Sequence, residues 1–544
     1  PPSTESAQYT PRASDIFTLL DHAPISPPST PDILYKKRIS GNSPCKCAAA
    51  VDDSRTLDWG YLNALEAHEM SKPVAPTRAD AMSAGKQVIE SGQLERRLTD
   101  LVALRTESQD PAQTAVLEQY LREMMRPMLL EMGFNVALHD NPVLKAPPLL
   151  LASRVENPEL PTILIYGHGD VIHGQDNQWN PGLSPFATVT LDGMMYGRGT
   201  ADNKGQHLIN FLALKTLINL RGSLGFNVKV LIEMAEEIGS PGLAEFCAAQ
   251  REALAADVLI ASDGPRLMPE VPTMFMGSRG AVNFDLEVSL RSRAHHSGNW
   301  GGLLADPATI LVQALASLTD ARGQIKIAEW RPSSLTSDIR AALGQLPSEI
   351  GGDEVIDPNW GEVGLTSNER VFGWNSFAVL AMKSGVPDAP VNAISGHASA
   401  TCQLRFVVGT DADDIVPSLR RHLDREGFDQ VRISATDKVA FQATRLNPDN
   451  PWVHFVASSL ERSTQSPPHI LPNLAGSLPN NCFSDILNLP TIWIPHSYRG
   501  CAQHAPNEHM PIALLHQAFL AMVGLYWDLG ETKGPRGASR HTGL

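Results

Sequence analysis

Five short stretches place histidines or carboxylates just after apolar runs or at the start of a helix. His168-Gly169-Asp170 follows Thr162-Ile163-Leu164-Ile165-Tyr166. In an extended segment, residues two apart face the same way, so both side chains can enter one site. Imidazole is a common zinc ligand, and a nearby carboxylate fixes its tautomer and raises its basicity. Asp202 lies in the glycine-rich stretch Gly197-Arg198-Gly199-Thr200-Ala201-Asp202-Asn203-Lys204-Gly205, where a carboxylate can approach an ion closely. Its plainer reading is the cap of the helix that follows. Glu236 and Glu237 come after Val230-Leu231-Ile232. Unpaired carboxylates beside a core are costly, so a cation is a natural neighbour; the plainer reading is an acidic pair at a helix start. Adjacent strand residues diverge, so one glutamate could bind metal while the other acts as a base. Asp263 follows Asp257-Val258-Leu259-Ile260-Ala261 and could equally be a turn aspartate. His504 precedes the last predicted helix, with His496 and His509 as rivals.

Taken together, His168, Asp202, Glu237, Asp263 and His504 offer nitrogen and oxygen donors only. Two histidines and three carboxylates suit two zinc ions bridged by one carboxylate, with positions left open for water. No single stretch is specific; their order and their shared position at strand ends are.

Those strand ends belong to an alternating pattern of strands and helices. Thr162 to Tyr166, Val228 to Met234, Asp257 to Ala261 and Pro490 to Pro495 read as buried strands. Lys204 to Leu220, Pro241 to Ala255 and Pro511 to Leu529 read as helices. The alternation predicts a mostly parallel α/β sheet flanked by helices, with its site at the carboxyl ends of the strands. The character changes near Gly277. Val282 to Val288 and Ser399 to Val407 alternate apolar and polar residues, which suits half-solvated strands. We therefore expect an extension over 1–80, a first part of the sheet domain over 81–277, an inserted α+β lid over 278–443, a second part over 444–530 and a tail over 531–544. The Pro/Ser/Thr-rich start, as in Ser26-Pro27-Pro28-Ser29-Thr30-Pro31, predicts disorder.

Composition narrows the classes. Lys plus Arg number 44 and Asp plus Glu 59, so the formal charge is 44 − 59 = −15, which argues against a nucleic-acid partner. The apolar and charged fractions, 42% and 19%, are those of a globular protein. Six scattered cysteines are no disulfide framework, and a cytoplasmic location is expected. Cys45-Lys46-Cys47 lacks the second half of a metal site. No membrane span is expected, since no run of 18 apolar residues occurs.

The chain resembles the metallopeptidase family of carnosine dipeptidases, carboxypeptidase G, aminoacylase and succinyl-diaminopimelate desuccinylase over roughly residues 85 to 530. Gly167-His168-Gly169-Asp170, Tyr196 to Gly205, Glu236 to Leu243, Ser262-Asp263 and His504 to Glu508 carry the likeness. It implies that His168 and Asp263 hold one metal ion, that Glu237 and His504 hold the other, and that Asp202 bridges them. The metals would be zinc, with manganese or cobalt as substitutes. Asp170 would orient His168. Glu236 would be the general base that activates a bridging water and then protonates the leaving amine.

In the inserted lid, Arg293-Ala294-His295-His296-Ser297-Gly298 is similar to a dipeptidase segment whose histidine reaches the partner subunit's site. His296 matches that position, and a homodimer through the lid is implied. Asn392 and Arg405 match substrate-binding lid positions, and Arg405 could pair a substrate carboxylate with two parallel bonds. Gly476-Ser477-Leu478-Pro479 resembles a loop that meets the same carboxylate. Two departures stand out. Ala201-Asp202-Asn203 replaces Thr-Asp-Asp, and Ala475 replaces the first glycine of the carboxylate loop. The expected reaction is amide hydrolysis in a dipeptide or related small carboxylate. N-acyl amino acid deacylation, N-carbamoyl amide hydrolysis and a non-catalytic binding role are the alternatives.

Overall fold

The computed structural model describes residues 75–347, 356–435 and 441–535. All of them belong to one unit, Pro73–Leu544. The extension up to residue 74, with Cys45 and Cys47, and the tail beyond 535 lie outside the described residues. Helix α1 (Arg78–Glu90) begins inside the stretch assigned to the extension, closed by a Thr77–Asp80 capping box. Helix α2 (Gln93–Val102) follows.

The large sheet takes in β1 (Asn135–His139), β2 (Leu149–Arg154), β3 (Thr162–His168), β4 (Asn227–Glu233), β5 (Val258–Ala261) and β6 (Thr273–Phe275). The lid sheet takes in β7 (Gly280–Ser289), β8 (Ser376–Ser384), β9 (His397–Phe406) and β10 (Arg432–Ala435). Strands β11 (His469–Leu471) and β12 (Thr491–Trp493) return to the large sheet. Its spatial order is β1-β2-β4-β3-β5-β12-β6-β11. The centre, β4-β3-β5-β12, is parallel. The β1-β2-β4 edge is antiparallel, as is the β12-β6 contact.

Parallel central strands are covered on both faces, so they read as unbroken apolar runs. In β3 Ile163 and Ile165 point to one core with Val228, Val230 and Ile232. Leu164 and Tyr166 point to the other, with Leu231 and Trp493. Full burial of one such side chain contributes about 1.5–3 kcal/mol. Helix α3 (Lys204–Arg221) packs so closely that a Cβ on Gly205 would lie 2.0 Å from the Thr200 carbonyl oxygen. Only glycine fits there.

The predicted helix from Pro241 to Ala255 is two short ones, Leu243–Ala249 and Arg251–Leu254, parted at Gln250. In the lid, Val282, Phe284, Leu286 and Val288 of β7 face inward against helices α4 (Pro307–Leu318) and α5 (Ile415–Arg425). The lid order is β8-β9-β7-β10, so β8 is an edge. Helix α6 (Pro451–Thr464) lies against α7 (Ile512–Thr532) in the first core. By length and composition α7 could cross a membrane, at mean hydropathy 1.4, but 72% of its apolar window is buried inside the protein. It is a core helix.

Candidate metal centre

The carboxyl ends of β3, β4 and β5 converge. His168 ends β3, Asp263 follows β5, and Asp202 stands just before α3. Glu236 and Glu237 are not in an extended segment. They occupy a tight helical turn, Glu236–Ile238, after β4. The separation of their side chains therefore comes from the turn and not from strand alternation. Asp170 makes that turn possible. Its two carboxylate oxygens accept the backbone N–H of Glu236 at 3.2 Å and of Glu237 at 3.1 Å. The same carboxylate lies 3.3 Å from His168 Nδ1. One buried aspartate thus sets both an imidazole and the glutamate pair.

Two groups of three result. His168 Nε2 lies 3.3 Å from Asp202 Oδ1 and 3.4 Å from Asp263 Oδ2. His504 Nε2 lies 3.2 Å from Asp202 Oδ2 and 3.0 Å from Glu237 Oε2. Asp202 therefore presents one oxygen to each group. Within each group the donor atoms lie within 4.8 Å of one another, a spacing that fits one ion. His168 Nε2 and Asp263 Oδ2 are buried without a hydrogen-bond partner among the described residues. Buried polar atoms are normally satisfied, so the chemistry of the pair fits a cation bound between them. Oxygen and imidazole donors of this kind suit zinc.

The electrostatics agree. Burial opposes charge on His168, yet Asp170, Asp202 and Asp263 outweigh it and raise its pKa well above the usual range. Asp202 and Glu237 push His504 up to about 11. Burial works against the Asp202 carboxylate, but His168 and His504 prevail and hold it below the ordinary range. Burial pushes Glu237 up to about 7, with Asp202 adding to the rise. Burial also raises Glu236 well above the carboxylate range, with His168 opposing and Glu237 and Asp263 reinforcing. The cluster is short of positive charge.

The scaffold behind it was not legible as such. Glu508 Oε1 accepts the N–H groups of Gly199 and Ala201 at 3.0 Å and of Asp202 at 3.1 Å. Its other oxygen meets Arg198 Nη1 at 2.8 Å in a fully buried ion pair. Asn203 donates to the Ser262 carbonyl at 2.7 Å, tying the Asp202 loop to the Asp263 loop. His207 Nδ1 lies 3.0 Å from Asn203 Oδ1, and Tyr120 OH lies 2.7 Å from His207 Nε2. Arg198 and Glu508 stood inside the recognised stretches, but a sequence shows a charge and not its burial. His496 is buried against Ser262 Oγ at 2.9 Å, and His509 bonds the Asn507 carbonyl; neither belongs to the two groups.

Of the expected substrate residues, Arg405 and Ser477 meet, with Arg405 Nη1 donating to Ser477 Oγ at 3.0 Å. Gly476 accepts the Arg279 N–H through its carbonyl at 3.1 Å. His296 and Asn392 form a separate, exposed pair on the lid. His296 is the register partner of Ala393, and the Asn392 carbonyl accepts the Ser297 N–H at 2.9 Å. Among the described residues neither side chain touches this chain's own His/carboxylate cluster.

A model of the Peptidase family M20/M25/M40 matches residues 164–527. The beta-Ala-His dipeptidase of Mus musculus is 35% identical over 244 residues, 42% of this chain and 49% of that protein. The match therefore spans about half the length of that relative. The Cys-Gly metallodipeptidase DUG1 of Saccharomyces cerevisiae is 30% identical over 419 residues, 71% of this chain and 82% of its own. In fold, the chain resembles human carnosine dipeptidase 1, with a TM-score of 0.67 at 22% identity over 83% of this chain and 100% of that one. With the family model matched through every element that carries the cluster, the chain belongs to the M20/M25/M40 peptidase family.

Proposed function

We propose that this chain is a metal-dependent dipeptidase that hydrolyses the amide bond of a small peptide with a free α-carboxylate. The observation that carries the reading is Asp202, whose two oxygens face two separate His/carboxylate groups with Glu236 half-buried beside them. His168 and Asp263 would hold one metal ion, Glu237 and His504 the other, and Asp202 both. When bound, the ions would supply Lewis acidity to the scissile carbonyl and to the attacking water. Glu236 takes a proton from that water as its oxygen bonds to the carbonyl carbon. The C–N bond then breaks, and Glu236 gives the proton to the departing amine. Arg405 and Ser477 hold the substrate carboxylate by charge-assisted hydrogen bonds. Asp170 keeps His168 in one tautomer and the glutamate turn in place.

A homodimer completes the reading. Strand β8 is an unpaired edge with Val379, Leu380 and Met382 exposed, and Trp300, Leu303 and Val391 add apolar surface to the lid. Exposed apolar edges of this kind are usually covered by another chain. His296 and Asn392 then belong to the partner's site, where His296 donates to the scissile carbonyl.

The test is hydrolysis of dipeptides and N-acyl amino acids by metal-stripped protein with zinc, manganese or cobalt restored. We expect metal-dependent cleavage of dipeptides. Glu236→Gln should lower kcat by about 10²–10⁴-fold while leaving metal content unchanged. Faster turnover of N-acyl amino acids would move the chain to the deacylase branch. Failure to bind metal would overturn the reading.

A further inference from the structure

Behind the two groups of three runs a chain of buried side chains whose hydrogen-bond directions follow atom by atom. It ends at the Ser262 carbonyl, which can only accept. Asn203 approaches that oxygen at 2.7 Å, so the facing atom is the amide nitrogen, Nδ2. The amide oxygen, an acceptor, then faces His207 Nδ1 at 3.0 Å. Nδ1 must therefore carry a hydrogen. His207 Nε2 lies 2.7 Å from Tyr120 OH. A second hydrogen there would make His207 a fully buried cation, hydrogen-bonded to no carboxylate among the described residues. The Lys204 ammonium already lies 5.4 Å from the centre of the Tyr120 ring. An unpaired buried charge is costly, so Nε2 accepts and Tyr120 donates. The chain thus runs one way: Tyr120 O–H to His207, His207 Nδ1–H to Asn203, and Asn203 Nδ2–H to Ser262.

Ser262 is held from its other side as well. Tyr526 OH donates to Asn210 Oδ1 at 2.7 Å, and Asn210 Nδ2 donates to Ser262 Oγ at 2.9 Å. His496 Nε2 lies 2.9 Å from the same hydroxyl. Ser262 is thus fixed at its carbonyl and at its hydroxyl, and the next residue is Asp263. The Gly264 N–H donates to Asp263 Oδ1 at 2.6 Å, which leaves Oδ2 turned to His168 Nε2. At the other end of the link, Asn203 directly follows Asp202. Gly167 and Gly169, on either side of His168, let the chain pass close. A Cβ on Gly167 would lie 2.7 Å from His207 Cβ, and one on Gly169 would lie 2.4 Å from the Tyr120 ring. One amide therefore joins the two loops whose aspartates meet His168, and the side chains that fix the amide press on the strand end that carries His168.

We propose that Asn203 is a positioning residue that sets the separation of Asp202 and Asp263, and that Tyr120, acting through His207, holds its amide in the orientation this needs. The proposal rests on the metal-centre reading, because an ion shared by His168, Asp202 and Asp263 is what feels the separation. Asn203→Asp keeps the shape and loses the donor, so a carboxylate oxygen faces the Ser262 carbonyl and the two repel. Tyr120→Phe keeps the ring against Gly169 and loses only the O–H that orients His207. A mere brace would lower the stability of the metal-free protein and leave ion affinity alone. A positioning residue changes how tightly the ion binds and the geometry around it.

The experiment titrates zinc into the metal-stripped full chain, as wild type, Asn203→Asp and Tyr120→Phe. Visible absorption of the cobalt-loaded proteins reports the coordination geometry. We expect wild type to bind two ions. Asn203→Asp should weaken one of them by about 10–100-fold, the usual size for a residue that orients a ligand. Tyr120→Phe should weaken the same ion by about tenfold. Both variants should alter the cobalt spectrum. Unchanged zinc affinity and an unchanged cobalt spectrum in both overturn the proposal, even where Tm falls. If Asn203→Asp does not fold, Tyr120→Phe decides by the same two readouts. Wild type that binds no zinc brings down the metal-centre reading itself. Wild type that binds two ions, with both variants like it, brings down this proposal alone.

Discussion

At the scale of single residues, the cluster gathers carboxylates that added positive charge would stabilise. Asp202, Glu236, Glu237 and Asp263 lie together, Asp263 buried and the others half-buried, and among the described residues His168 and His504 are the cationic partners paired with them. Metal removal should therefore lower Tm, and restoring zinc should raise it in a concentration-dependent way. A thermal scan with and without chelator checks this; an unchanged Tm would mean that the cluster holds no ion. His504→Ala should cut bound metal from two ions per chain to one, read by elemental analysis, because the His168 group keeps all its donors. Glu233, one turn before the glutamate pair, gives a pH effect of its own. Burial, aided by Asp170, pushes its carboxyl up to about 7, although Tyr166 and Ser240 donate to it. The unfolded chain loses that proton near its ordinary value of 4.5, while the folded chain keeps it to about 7. The folded state holds more protons in that window, so stability falls as pH rises through it. Glu233→Gln keeps an acceptor for both hydroxyls and should raise stability at pH 8 by about 3 kcal/mol, with little gain at pH 4; Tm across pH 4 to 8 in metal-loaded protein checks it. The residues that the structure gathers into the two groups were legible in the sequence because the chemistry of ion binding restricts their types. Arg198 and Glu508 were not, since their roles depend on burial.

At the scale of elements, the centre lies where strands end because a chain leaving a buried strand must turn, and the turn exposes polar groups. The apolar runs of β3, β4 and β5 marked those ends in the sequence. The antiparallel β1-β2-β4 edge left no such mark, because it depends on pairing between segments far apart, and register is not written in either strand alone. The break at Gln250 also went unseen, since apolar periodicity continues through it. The loop before α3 shows how an element is held. Three N–H groups and a buried guanidinium converge on Glu508, so the Asp202 position depends on a residue 306 positions away in the chain. Glu508→Gln keeps an acceptor for the N–H groups but leaves Arg198 buried and unpaired. Breaking one side of such a pair costs about 3–5 kcal/mol. We expect a fall of that size in denaturant unfolding, together with weaker binding of both ions. A change in stability alone, with metal affinity intact, would show that the loop does not need Glu508 to place Asp202.

At the scale of the whole molecule, the lid poses the question that one chain does not answer by itself. Arg405 of the lid meets Ser477 of the sheet domain, whereas His296 and Asn392 stand exposed on another part of the same lid. If both belong to one active site, that site takes residues from two chains, and two defective proteins can repair each other. A chain with Glu236→Gln lacks the base but offers an intact His296. A chain with His296→Ala has the base but offers no histidine. In a randomly exchanged mixture about half the dimers are mixed, and each mixed dimer holds one site with both groups intact, so about a quarter of all sites should work. The mixed sample should then recover close to a quarter of wild-type activity, from parents that are each nearly inactive. Leu380→Glu on the β8 edge puts a charge on the exposed apolar strip and should block both dimerisation and the recovery. Activity of the mixture that only equals the average of its parents would place His296 outside the partner's site. Full activity in a Leu380→Glu monomer would remove the need for a partner altogether.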